Sequence, residues 1–191
     1  MGVRYGFVVD LRRCTGCYSC QISCKSENGV TLSQFRTKLQ TVYQGNYPAP
    51  KSTFVSLRCN QCENPVCASK CPVKATYKID NGITVVDTEK CIACGNCIAL
   101  CPYGARYIDK GNPERLNKVD KCDYCQHRLA AGLQPACVTN CFGKAMYFGD
   151  LNDPNSKVSQ LIKTEKVQVL KTKFNTDPKC FYIVDDKHKA E

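Results

Sequence analysis

An α+β fold is predicted for this 191-residue sequence on three observations. Sixteen of its seventeen cysteines fall in four groups of four, spaced for tight loops and single turns of helix. The segments between the groups alternate apolar and polar residues, as half-buried strands do. One of them carries Asn81-Gly82 between two such runs, the strongest short-range sign of a β-hairpin.

In chain order, residues 5–11 are expected to form a strand that delivers the chain into group one, Cys14-x2-Cys17-x2-Cys20-x3-Cys24. A short helix runs over about residues 18–26. Residues 27–52 are polar, and Gly45, Pro48 and Pro50 mark a turn-rich surface loop suited to docking. Residues 53–58 alternate like a strand and lead into group two, Cys59-x2-Cys62-x4-Cys67-x3-Cys71-Pro72, which is widened around Pro65. The hairpin over 77–86 joins it to group three, Cys91-x2-Cys94-x2-Cys97-x3-Cys101-Pro102. A strand over 105–108 and a polar loop with Gly111 and Pro113 follow.

Group four is split: Cys122-x2-Cys125, a helix over 124–131 stopped by Gly132, then Cys137-x3-Cys141. Phe142 stands where groups two and three have proline. Beyond it, 147–154 read as a strand and turn, Ser156 as the cap of a helix to about 163, and 167–170 and 181–184 as strands. The tail over 185–191 is charged and expected to fray.

The spacing of group three is one that wraps a cubane iron-sulfur cluster. Three cysteines two residues apart let one loop enclose it, while N–H groups of the same loop point at the sulfurs and help to set the potential. The fourth cysteine, one helical turn on, faces away and serves a neighbouring cluster, so groups work in pairs. Four groups at comparable spacing are an internal repeat, most simply two ferredoxin-like units with two clusters each.

Groups two and three, joined by the hairpin, are expected to pair: Cys59, Cys62 and Cys67 with Cys101, and Cys91, Cys94 and Cys97 with Cys71. By elimination groups one and four pair, Cys14, Cys17 and Cys20 with Cys141, and Cys122, Cys125 and Cys137 with Cys24. The expected architecture is two interleaved ferredoxin-like units, residues 1–52 with 110–150 and residues 53–109, plus a C-terminal wrapping extension over 151–191. The cofactors are four [4Fe-4S] clusters. No nucleophile, acid–base pair or phosphate loop stands out, so no catalytic residue is expected.

Composition excludes several rival classes. Disulfide scaffolds are mainly short secreted chains with even cysteine counts, unlike this one. Zinc ribbons set two cysteine pairs well apart, whereas groups one and three hold three cysteines within seven residues. A formal charge of +10 raises nucleic acid as a partner, but four oxidised cubanes with their thiolates would contribute about −8 and leave about +2. Arg12, Arg13, Lys25, Arg58, Lys70, Lys74, Lys90, Lys121 and Arg128 lie beside the groups, which favours local compensation over nucleic-acid binding. No apolar run approaches the length of a membrane span, and the first ten residues do not read as a secretory signal. Met1-Gly2 lacks the Ser or Thr at position six that myristoylation wants, Gly6 being there.

The four-group order, the widened second group, the split fourth group with Arg128, Gly132 and Pro135-Ala-Cys-Val138, and the stretch Phe148-Gly-Asp-Leu-Asn-Asp-Pro154 carry a further reading. Together they resemble the four-cluster electron-transfer subunits of molybdopterin oxidoreductases, over about residues 4–184. The resemblance implies a relay between a large molybdenum- or tungsten-containing catalytic subunit and a quinone-linked membrane-anchor subunit, a cytochrome or another donor. It implies that the pair from groups one and four lies nearer the catalytic subunit. It also implies a periplasmic or membrane-associated complex, with the cytoplasm as the alternative compartment. Some similar subunits replace a cysteine of group three and hold a three-iron cluster there, but this chain keeps all four. A free-standing diffusible polyferredoxin is the alternative function. Cys180 reads as a buried small hydrophobe, His127 as a neighbour of group four, and Tyr103, Tyr107 and Tyr124 as shields against water.

Overall fold

The computed structural model describes residues 2–190. In chain order the elements are β1 (Tyr5–Asp10), α1 (Ser19–Glu27), β2 (Thr37–Gln44), β3 (Lys51–Arg58), α2 (Val66–Ser69), β4 (Thr76–Lys78), β5 (Thr84–Val86), α3 (Asn96–Ala99), β6 (Arg106–Ile108), β7 (Val119–Lys121), α4 (Gln126–Ala130), α5 (Ala136–Thr139), β8 (Met146–Asp150), α6 (Lys157–Thr164), β9 (Val167–Gln168) and β10 (Cys180–Ile183). None of these helices is long and apolar enough to cross a membrane.

A four-stranded sheet in the order β8-β1-β10-β9 organises the chain. β1 runs antiparallel to β8, with Phe7 opposite Phe148, and parallel to β10, with Phe7 opposite Cys180. Its apolar run suits a strand covered on both faces. Because successive side chains alternate, Val8 joins Val158 of α6 and Ile183 on one side. Phe7 and Val9 face the other way, into a core that includes Cys20, Cys122, Tyr124, Cys137 and Cys141. The second face of the sheet is thus the floor of cysteine groups one and four. α6 starts as its sequence predicts, Ser156 Oγ accepting from Ser159 N at 3.3 Å.

Three two-stranded hairpins complete the fold: β2-β3, β4-β5 and β6-β7. β4-β5 turns at Asn81-Gly82 as expected, and Gly82 supplies the left-handed backbone at φ +76°. The first hairpin corrects the reading of 27–52 as an irregular loop. Residues 37–44 pair in full register with β3, from Thr37 opposite Arg58 to Gln44 opposite Lys51. Their polar composition follows from one face lying open to solvent. The polar stretch after β6 likewise contains a strand, β7, whose three residues are all buried. The tail also departs from expectation over 185–190. Asp185 Oδ1 accepts from Lys187 N and His188 N, Lys187 O accepts from Thr53 Oγ1 at 3.5 Å, and Ala190 packs in the main core. Glu191 lies outside the described residues. Beyond residue 151 the chain is built into the sheet, β10 standing between β1 and β9.

Candidate metal centre

Each cysteine group is shaped by the same local sequence logic. In groups two, three and four the third cysteine sits inside a single turn of helix and the fourth follows it: Cys67 in α2 before Cys71, Cys97 in α3 before Cys101, and Cys137 in α5 before Cys141. Group one differs, since Cys20 and Cys24 both lie in the nine-residue α1. The residue before the second cysteine is left-handed in all four groups: Gly16 (φ +70°), Gln61 (φ +44°), Ala93 (φ +54°) and Tyr124 (φ +63°). Lys74, Gly104 and Lys144 repeat this three residues after the fourth cysteine of groups two, three and four. For a non-glycine residue the left-handed region costs roughly 1–2 kcal/mol, and such strain persists where the surroundings dictate it. These bends turn backbone N–H groups towards sulfur.

The donors reach their targets. Ala145 N donates to Cys141 Sγ at 3.2 Å. The N–H groups of Ser19 and Phe142 donate to Cys17 and hold its thiol below the ordinary value. Cys71 is held low against its burial by N–H groups of Thr76, Ala75 and Val73. Side chains add to this. Asn28 Nδ2 lies 3.7 Å from both Cys24 Sγ and Cys125 Sγ, and Arg36 holds it by donating to Asn28 Oδ1 at 2.8 Å. Arg36 is itself fixed by a bidentate pair with Asp120, at 2.9 and 2.7 Å.

The fold gathers cysteines from distant groups. Cys14 has Cys20, Cys141 and Cys17 for neighbours. Cys24 neighbours Cys125, Cys122 neighbours Cys24 and Cys137, and Cys137 neighbours Cys24 and Cys125. Cys59, Cys62, Cys67 and Cys101 line one almost wholly apolar cavity, with Tyr103 and Arg106. Cys71, Cys91 and Cys97 pack in one cluster with Ala75 and Ile108, while Cys94 is exposed at the surface.

The residues fit an iron-sulfur cofactor. Burial pushes the Cys137 thiol up to about 12 and the Cys24 and Cys62 thiols up to about 11. Such thiols become thiolates at neutral pH only against bound positive charge, which iron supplies. Thr84, whose buried hydroxyl has no hydrogen-bond partner within the described residues, lines the cavity of Cys59, Cys62, Cys67 and Cys101. Among the described residues no three His, Cys, Asp or Glu converge as they would around a single ion. The Cys59 set surrounds a space instead.

Residues outside the groups behave variously. Cys180 is fully buried on β10. His127 lies largely exposed, with Nε2 2.8 Å from Glu27 Oε1. Tyr124 is buried between Phe7 and Phe148, with ring centroids 5.0 and 5.3 Å away. Tyr103 OH meets Thr176 Oγ1 at 2.6 Å, and Tyr107 OH donates to Asp120. Asn28, Arg36 and Arg106 carry no motif, and only folding brings them to the cysteines.

Residues 50–151 match the 4Fe-4S dicluster domain family. The chain is 41% identical over 188 residues to a subunit of the tetrathionate reductase of Salmonella typhimurium, covering 96% of this chain and 74% of that one. It is 40% identical over 197 residues to a polysulfide reductase subunit of Wolinella succinogenes, with both proteins covered in full. It is 34% identical over 225 residues to the arsenate respiratory reductase iron-sulfur subunit of a Shewanella species, at 95% and 96% coverage. A family match over half of the chain and relatives aligned along nearly all of it leave one conclusion: this protein belongs to the 4Fe-4S dicluster family of iron-sulfur electron-transfer proteins, alongside the iron-sulfur subunits of respiratory reductases.

Proposed function

We propose that this protein is the electron-relay subunit of a molybdopterin-dependent reductase and holds four [4Fe-4S] clusters. The ligand sets of this reading are Cys14, Cys17, Cys20 and Cys141; Cys24, Cys122, Cys125 and Cys137; Cys59, Cys62, Cys67 and Cys101; and Cys71, Cys91, Cys94 and Cys97. Residues 1–52 with 110–150 form one unit, 53–109 the other, and 151–191 tie the first to the sheet. Each cluster, when bound, supplies a one-electron couple. The chain's own residues fix the positions of these couples, shield them from water and aim hydrogen bonds at sulfur.

The observation that carries the reading is where the thiols are exposed. Of the sixteen, only Cys17 and Cys94 are exposed. They belong to the first and last sets. Neighbouring thiols link the sets in order: Cys20 with Cys137, Cys122 with Cys59, and Cys67 with Cys97. A line whose two ends are its exposed points suits a subunit held between two partners, whereas a diffusing carrier needs one. At the Cys17 end Tyr18, Ile22 and Phe142 expose apolar surface, a collar for the large molybdenum or tungsten subunit. At the Cys94 end Ile92 and Leu100 do the same, for a quinone-linked membrane subunit or a cytochrome. The complex is membrane-associated in this reading.

Anaerobic native mass spectrometry of the protein purified from its own source tests this. Sixteen irons on this chain, held with a large partner carrying molybdenum or tungsten, is the expected result. A lone chain with sixteen irons would favour the diffusible polyferredoxin, and zinc in place of iron would overturn both.

A further inference from the structure

Two arginines are buried without a carboxylate. Arg58 is 3% exposed and Arg106 5% exposed. Among the described residues neither has an Asp or Glu within ion-pair reach, and the groups acting on both are mainly cysteines. The other guanidiniums in the interior behave differently: Arg36 pairs with Asp120 at 2.7 Å and Arg115 with Asp109 at 2.9 Å. A cation moved out of water with no counter-charge is costly, so a buried one without a carboxylate needs another anion.

Both arginines point at sulfur, and at equivalent sulfurs. Arg58 Nη1 donates to Cys137 Sγ at 3.5 Å, and Nη2 donates to Ser56 Oγ at 2.6 Å and Met146 Sδ at 3.4 Å. Cys20 Sγ meets the same Ser56 Oγ at 3.8 Å and is among the groups acting on Arg58. Arg106 Nη2 donates to Cys67 Sγ at 3.0 Å and Nη1 to Thr76 Oγ1 at 3.1 Å, and Cys97 is among the groups whose charge acts on the guanidinium. Cys20, Cys67, Cys97 and Cys137 are the third cysteines of groups one, two, three and four. Thr76, Arg106 and Met146 each stand five residues beyond the fourth cysteine of their group. One guanidinium thus stands by the third cysteines of each pair of groups: Arg106 comes from within its own pair, and Arg58, which precedes Cys59, reaches the other pair from outside it.

We propose that Arg58 and Arg106 are inter-cluster cations, each sharing one permanent positive charge between the two clusters of its pair and raising the reduction potential of both. Reduction adds one negative charge to a cluster, and a cation fixed nearby in a medium of low dielectric favours that reduced form. Arginine suits the task. It keeps its charge at all working pH values, and its planar fork spans two acceptors where a lysine offers a point charge. The cation also stands in the gap an electron crosses within each pair, so it favours the electron on either side.

The inference rests on the four-cluster reading, and the test separates the two. Arg58→Gln, Arg58→Lys, Arg106→Gln and Arg106→Lys are made in the intact complex, iron is counted by native mass spectrometry, and cluster potentials are followed by EPR-monitored redox titration. Each Gln variant is expected to weaken electron uptake about tenfold, a fall of about 59 mV, in both clusters of its own pair and far less in the other pair. Each Lys variant should recover most of that fall. Unshifted potentials in a Gln variant with full iron would overturn the proposal, as would equal shifts in the Gln and Lys variants. If a Gln variant loses iron, iron retained at near-native potential in its Lys counterpart supports the charge role, and loss in both assigns a structural role only. An unmodified chain with fewer than sixteen irons would refute the cluster reading itself.

Discussion

Asn28 Nδ2 stands 3.7 Å from Cys125 Sγ, although 97 residues separate the two. The same amide lies 3.7 Å from Cys24 Sγ, so one side chain addresses two cysteines from distant parts of the chain that share a set in the proposed assignment. Hydrogen bonds to cluster sulfurs stabilise the more negative, reduced state. Asn28→Leu is expected to lower the potential of the cluster assigned, in the proposed ligand sets, to Cys24, Cys122, Cys125 and Cys137 by up to about 59 mV, a tenfold change. EPR-monitored titration against the native complex reads it. An unmoved potential with full iron would show that the amide only packs.

The four left-handed positions make a contrast between glycine and alanine. Gly16 has φ +70°, and a Cβ there would lie 2.8 Å from the Phe54 ring. Gly16→Ala should cost at least about 1–2 kcal/mol from the backbone alone and reduce the iron carried per chain. Ala93 has the same conformation without glycine's freedom. Ala93→Gly is expected to be neutral or stabilising by up to about 1 kcal/mol. Thermal unfolding and iron analysis of the two variants check the pair.

Acid should loosen the fold at Asp109 in a defined range. This buried carboxylate accepts from Thr31 Oγ1 at 2.6 Å, Asn112 N at 2.9 Å, Gly111 N at 3.0 Å and Arg115 Nε at 2.9 Å. Burial alone raises its pKa, but these donors prevail and hold it at about 2. A folded value below the unfolded one means stabilisation complete above about pH 4 and lost as pH falls through about 2. Asp109→Asn should lower stability at pH 7 by about 1–3 kcal/mol and flatten its dependence on pH between about 4 and 2. Urea unfolding across that range measures both effects.

Phe142 takes the place proline has in groups two and three, and its side chain is 78% exposed beside Cys17. Phe142→Asp is expected to leave fold and iron unchanged and to weaken binding of the proposed catalytic subunit at least about tenfold, or about 1.4 kcal/mol. Binding of the separately purified subunits reads the change. Undiminished affinity would move the docking surface away from Cys17.

The cysteine groups, β1, the β4-β5 hairpin and the Ser156 cap were legible because each is a local pattern. What escaped is long-range. Residues 37–44 are polar because one face of β2 meets water, and only the partner β3 marks them as a strand. β7 hides because Asp120 and Lys121 are buried by partners outside the segment: Arg36 and Tyr107 for the first, the carbonyl oxygens of Thr84 and Cys122 for the second. The basic residues are the sharpest case. Nine were expected to compensate the cysteine groups, yet among the described residues Arg58 alone of them donates to a cysteine sulfur. Arg12 turns to Asp10 and Glu165, Lys90 to Asp87 and Arg128 to Glu27. Arg106, read only as part of a strand, makes the shorter sulfur contact. Position in sequence fixes where a charge is anchored, not where a long side chain ends.

The parallel pairing of β1 with β10 has a consequence for synthesis. A ribosome that has released residue 101 has delivered every cysteine of groups two and three, which on the proposed ligand sets can then take up iron early. β1 must wait for β8 and β10, and on the proposed ligand sets Cys14 must wait for Cys141. Through most of translation Phe7, Val8 and Val9 therefore have no sheet to enter. Their wait defines the interval in which a nascent-chain holding factor has something apolar to grip.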